Sequence, residues 1–300
     1  MTAPIRQSDF IGKLCVALAH RWEPERLFVI FTAYFDEAAT HGAKPHMTMA
    51  ALLGNAYEWR RCELRLGRLQ KQYGFTIFHA KDFKARKGEF KGWPQGTYSN
   101  LINDLTELVR DTLSEGVAIS LPRELYLSEY RAPPIPKGMT LDSQFGACFR
   151  GCLSHLADVL LTGRNSGKRH TLHLIIEDGH SNVGDTQRIF NDVKASLEER
   201  GHFLLGTITI AKKEEAPPLM LSDFLAHTHY LMDIAAKSAG GVHYRDIVED
   251  VPVLPREAGL TFMQFQPGAL SGMKARWAAE KQRKIDAWRV ARDARKAASS

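Results

Sequence analysis

Cysteine is scarce in this chain, and the four present, Cys15, Cys62, Cys148 and Cys152, show no Cys-x-x-Cys spacing. That argues against both a structural zinc site and a disulfide framework. They read as reduced core residues, with Cys148 and Cys152 one helical turn apart, where small side chains let a helix pack closely. No apolar run approaches the length that spans a bilayer, and the segment 10–20 is interrupted by Lys13 and lacks a cleavage region, so no membrane partner and a cytoplasmic location are expected. No internal repeat occurs. Excess charge is also missing from most of the chain, since residues 1–270 carry 31 basic and 31 acidic side chains.

What is present is ordinary globular composition, 44% hydrophobic and 25% charged over 300 residues, enough for one large α/β domain. The net charge of +6 resides in residues 271–300, with nine Lys/Arg against three Asp/Glu. A basic tail of this kind attracts a polyanion, although a solvated terminal helix has the same composition.

Apolar periodicity organises the rest. An amphipathic helix is expected over 8–20, within an N-terminal helical extension of residues 1–26. LFVIFTAYF and MTMAALLG flank a short loop with His41-Gly42 and read as an antiparallel pair. A helix over 57–73 leads to a short strand, FTIF, and then to the charged loop HAKDFKARKGEFKGWPQG, long enough to be functional. Helices over 98–114, 141–161, 186–200 and 219–236 alternate with the strands VAISL, HLIIE and GTITIA. Alternation after an initial hairpin predicts an α/β fold, a mixed sheet flanked by helices. The domain is placed at 27–240, followed at 241–300 by a C-terminal extension with a basic helix.

Three acidic stations stand at the ends of apolar runs: Asp36-Glu37, Glu177-Asp178, and Asp223 within PPLMLSDFLAHTHYL. Carboxylates gathered at one rim of a sheet suit hard divalent cations, which take oxygen ligands and leave positions open for substrate phosphates. Mg²⁺ or Mn²⁺ and phosphoryl chemistry are therefore the first expectation. Alternation along a strand sends Glu37 and Asp178 away from Asp36 and Glu177, making them second choices as ligands. Asp223 lies among Leu219, Leu221, Phe224 and Leu225, where an unpaired charge is costly, so a metal or a buried cation is needed to explain it.

Four blocks, YFDEAATH, FHAKDF with the following GEFKGW, IIEDGH, and KKEEAPPLMLSDFLAH, resemble in order and spacing the family catalogued as domain of unknown function 3800. Its members look like RNase H-fold proteins. The resemblance spans about two-thirds of the chain and implies two bound metal ions held by an acid on the first strand, one on a later strand and one on the last helix. Those positions are Asp36, Glu177 and Asp223 here. It departs from the family at Asp36-Glu37-Ala38-Ala39, where Asp-Glu-Ser-Gly is common, and at His227, where an aromatic is more usual.

His79, at the end of FTIF, can ligate metal, orient a water or transfer a proton, or be a core-edge histidine bonded to backbone. Lys84, Lys91 and Trp93 belong to a basic and aromatic mixture suited to phosphate contact and base stacking, the alternative being a packed loop with exposed lysines. Lys213 can contact a phosphate or neutralise the acids. The expectation is a metal-dependent nuclease with a nucleic-acid partner, a homodimer being compatible. A non-catalytic nucleic-acid- or protein-binding module that keeps the acidic pocket is the alternative.

Overall fold

The computed structural model describes residues 28–38, 45–162, 169–179, 182–202, 204–238 and 259–298. The expected N-terminal helix, Cys15 and the loop at His41-Gly42 lie outside them. The α/β architecture, a mixed sheet flanked by helices, is present. Chain order is β1 (Phe28–Ala38), β2 (His46–Asn55), α1 (Ala56–Tyr73), α2 (Ala80–Ala85), α3 (Gln95–Thr112), β3 (Glu115–Pro122), α4 (Gln144–Thr162), β4 (Arg169–Glu177), α5 (Val183–Glu198), β5 (Leu205–Ala211), α6 (Leu219–Ser238), β6 (Leu260–Gln264) and α7 (Ala269–Ala298). A 3₁₀ turn (Gly88–Phe90) precedes α3, and a π-helical turn (Tyr126–Arg131) precedes α4.

Six strands lie in the order β5-β4-β1-β2-β3-β6. β1, β2 and β3 form an antiparallel meander, as the short connections allow. β4 returns parallel to β1, and β5 parallel to β4, each after a helix. Three neighbouring strands, β1, β4 and β5, thus end at the same edge of the sheet. That common carboxyl edge positions the site described below.

Both faces are apolar, as buried strands require. Tyr34, Ala50, Leu52 and Ala118 pack with Trp59, Leu66, Leu101 and Phe224 from α1, α3 and α6. Phe31, Phe35, Met49 and Ile119 pack on the other face with Phe149 and Leu153 of α4 and Ile189 and Phe190 of α5. Cys62, Cys148 and Cys152 are buried free thiols. Burial raises the Cys62 thiol to about 12, and raises Cys148 and Cys152 as well.

Local chemistry sets the helix ends. Asn55 caps α1 by accepting from the backbone N–H groups of Tyr57 and Glu58 at 2.9 and 3.1 Å, while Glu58 accepts from the Asn55 N–H at 2.8 Å. Gly74, at φ 72°, closes the helix in the left-handed conformation that suits glycine. The indole of Trp59 donates to Thr32 O at 2.9 Å, fastening α1 to β1.

Two differences from the sequence reading stand out. FTIF forms no strand, because the Ile77 N–H is taken at 3.0 Å by the Glu89 carboxylate instead of a neighbouring strand, and Phe75 and Phe78 turn into the core. The sheet also extends beyond residue 240. β6 pairs in parallel with β3, and Leu270, at the start of α7, is fully buried, so the C-terminal segment contributes to the domain before leaving it.

Candidate metal centre

Asp36 lies near the end of β1 on the face that carries Tyr34 and Ala38, and Glu177 is the last residue of β4. Their strands run parallel with Phe35 opposite Ile176, which brings the two acids side by side. Asp223 comes from α6, whose register on β1 is fixed by the Ser222 hydroxyl donating to Tyr34 O at 2.8 Å. The fourth member is Lys213, in the turn that leaves β5. Lys212 O holds this turn, accepting from the N–H groups of Glu215 and Ala216 at 3.0 and 2.9 Å.

All three carboxylates meet the Lys213 ammonium. Its Nζ lies 2.9 Å from Asp36 Oδ2, 2.8 Å from Glu177 Oε1 and 2.9 Å from Asp223 Oδ2. The lysine side chain is 3% exposed. Asp223 Oδ2 also accepts from the Ala80 N–H at 3.0 Å, so the start of α2 closes over the pocket. His79, exposed one residue earlier, places Nδ1 3.4 Å from Lys213 Nζ and marks the side on which the pocket meets solvent.

The electrostatics follow from crowding four carboxylates around one ammonium. Asp36 is driven well above the usual carboxylate range by burial first and then by Asp223, with Lys213 opposing and Glu177 adding. Burial also pushes Glu37 up to about 8, with Glu177 and Asp223 adding and Lys213 opposing. Burial alone would raise Glu177 too, yet the hydrogen bond from Asp36 and the Lys213 charge bring it below its ordinary value. Lys213 is held well above the ordinary lysine value, since its three acid partners outweigh burial.

Glu37 is a closer neighbour than strand alternation implies. Its N–H donates to Asp36 Oδ1 at 2.6 Å, and its buried Oε2 has no hydrogen-bond partner. Asp178 is exposed, and its backbone N–H donates to Ala211 O at 2.9 Å. His227, one turn beyond Asp223, is held below its ordinary value by burial, with Asp223 opposing and Lys84 assisting; its Nε2 is buried without a hydrogen-bond partner.

The residues suited in sequence to nucleic-acid contact, Lys84, Lys91, Trp93 and Lys213, fall into different settings. Lys84 and Lys91 are exposed. Trp93 stacks on Tyr73 with ring centroids 6.1 Å apart and meets Phe90 edge-on at 5.2 Å. Phe83 and Phe90 are buried in the same aromatic cluster. The loop's aromatics therefore serve the core, while its lysines face outward. Lys213, read in sequence as able to contact a phosphate or neutralise the acids, lies buried against all three carboxylates.

Do these residues suit a divalent cation? The donors are hard oxygens from three separate elements, and crowding drives the carboxyls of Asp36 and Glu37 up while Lys213 opposes the rise. A divalent ion opposes it in the same way, so the donor set fits. Among the described residues no three His, Cys, Asp or Glu side chains are already drawn in to metal-ligand geometry; the ammonium stands at the point where they converge.

No family model matches the chain, and no curated protein does. Among solved structures, the ribonuclease H2 from Pyrococcus horikoshii OT3 superposes with a TM-score of 0.34 at 12% identity, over 82% of this chain and 99% of that one. A likeness that loose carries no argument about activity.

Proposed function

We propose that this chain is a nuclease that hydrolyses phosphodiester bonds with Mg²⁺ or Mn²⁺ at the Asp36–Glu177–Asp223 pocket, and that it belongs with the RNase H-like proteins of domain of unknown function 3800. The observation that supports it most is the convergence of three carboxylates from β1, β4 and α6 on one point. When bound, a pair of divalent ions activates a water and stabilises the leaving oxygen in such a pocket.

The remaining work falls to the chain. Asp36, Glu177 and Asp223 hold the ions, with the unpartnered Oε2 of Glu37 a further oxygen donor behind them. His79, at the mouth, is placed to take or give a proton. Exposed Lys84 and Lys91 supply phosphate contacts on the approach. The outer part of α7, exposed from Asp286 to Arg295, adds sequence-independent attraction for nucleic acid.

One observation favours a second reading, a binding module without turnover: the Lys213 ammonium already satisfies the three acids. Cleavage assays on labelled single-stranded, duplex and hybrid substrates, with Mg²⁺ or Mn²⁺, separate the two. The nuclease reading predicts cleavage of at least one substrate, falling on Asp36→Asn by no less than the roughly 10- to 100-fold that even outer-shell changes cost at metal sites. Binding without cleavage of any substrate would favour the module.

A further inference from the structure

The most unusual group in the pocket is a cation supplied by the chain itself. Lys213 Nζ has three carboxylate oxygens at 2.8 to 2.9 Å, from β1, β4 and α6, and almost no exposure. One acid partner balances the charge of a buried lysine. This one has three, and those are the oxygens a divalent ion would require. Mg²⁺ bonds oxygen at about 2.0 to 2.1 Å and takes the same lone pairs, so ammonium and ion cannot both occupy the point where the oxygens converge.

The lysine is also built to leave. It stands in a turn rather than within a strand or helix, and its four side-chain torsions can carry Nζ outward without moving the backbone. An exit lies on the side of His79, which is exposed and only 3.4 Å from Nζ.

Resting on the metal-dependent reading above, we propose that Lys213 is the pocket's resident counter-ion. Its ammonium fills the cation position in the metal-free protein and withdraws toward His79 when a divalent ion enters, so the two occupants exclude each other. Two properties follow. The metal-free pocket stays folded despite its crowded acids, and the apparent metal affinity is set partly by how often the lysine is unseated. Withdrawal also brings a positive charge to the mouth, where a substrate phosphate would arrive.

The test compares full-length protein with Lys213→Met, which keeps side-chain length and removes the charge, by calorimetric titration with MnCl₂ and by melting in EDTA. If the lysine is seated in about 90% of metal-free molecules, its removal tightens Mn²⁺ binding about tenfold. The variant should melt lower in EDTA and recover with Mn²⁺. Parent protein that binds Mn²⁺ alongside a variant that binds equally or more weakly overturns the proposal and leaves the metal reading standing. Failure of both proteins to bind Mn²⁺ or Mg²⁺ removes the metal reading, and the proposal with it.

Removing a nearby positive charge tightens cation binding by itself, and the Met variant could fail to fold, so a second measurement uses the unmodified chain. Amine acetylation mapped by mass spectrometry should find Lys213 protected in EDTA and several-fold more reactive with saturating Mn²⁺. Equal protection in both conditions overturns the exchange.

Discussion

Replacing Asp223 with Asn tests the pocket from the side of the acids. The amide keeps the shape and one oxygen, so the Ala80 N–H, now 3.0 Å from Asp223 Oδ2, retains an acceptor. What is lost is the charge facing Lys213 at 2.9 Å. Stranding a buried ion entirely costs about 3 to 5 kcal/mol. Lys213 is not stranded, because Asp36 and Glu177 remain at 2.9 and 2.8 Å, and the repulsion of Asp36 by Asp223 is relieved. The expected loss is therefore that of one charged hydrogen bond, about 1.5 to 3 kcal/mol, or about 3 to 12 °C in Tm for a domain of this size. Mn²⁺ at a hundred times its Kd should stabilise the parent by about 2.7 kcal/mol, whereas a variant binding a hundredfold more weakly gains about 0.4 kcal/mol. Differential scanning fluorimetry in EDTA and in Mn²⁺ reads both quantities. An Asn variant that melts with the parent in EDTA and gains as much from Mn²⁺ would refute the reasoning.

Two further outcomes follow from the same structure. Glu37 and Asp36 hold protons in the folded protein that the unfolded chain releases. Their contribution to metal-free stability is therefore fully present below the unfolded value of 4.5 and is lost as pH rises toward about 8, by on the order of 3 kcal/mol. Melting curves from pH 5 to 8 check this, and either Glu37→Gln or saturating Mn²⁺ should flatten the decline. The C-terminal helix offers a second perturbation. Truncation after Ile285 removes four Lys/Arg from an exposed helix; it should leave Tm unchanged and lower the slope of log affinity against log salt by up to about 3.6 on duplex DNA, about 0.9 for each. Truncation before Ser271 should instead destabilise, since Lys274 is buried and donates to Glu129 O and Ala132 O at 2.8 and 2.7 Å.

Much of the architecture was legible because its elements state their environment locally. Residues 31–36 and 47–53 are buried on both faces, so their continuous apolar character marks central strands, and they pair antiparallel as read. The amphipathic helices show their buried stripe in the same way. FTIF misled because four apolar residues suit a packed turn as well as a strand, and the partner of its amides, Glu89, lies a dozen residues away. β6 escaped notice because LTFMQ is short and only half-buried, its pairing set by the distant β3. At the site, the acids were visible as charges ending apolar runs. Lys213 was legible as a residue able to contact a phosphate or neutralise the acids, but not as a buried one, since Lys212, Glu214 and Glu215 beside it are exposed and burial of one lysine in such a run is decided by the tertiary fold. Trp93 likewise carries no local sign that its ring packs against Tyr73 and Phe90.

Metal binding by Asp36, Glu177 and Asp223 is tested most directly by an anomalous difference map from crystals of the full-length protein grown with saturating Mn²⁺. A peak bonded to oxygens of all three carboxylates is expected, with Lys213 Nζ moved out of its present contacts of 2.8 to 2.9 Å. A map without a peak there, and with the ammonium still seated among the three acids, would contradict it.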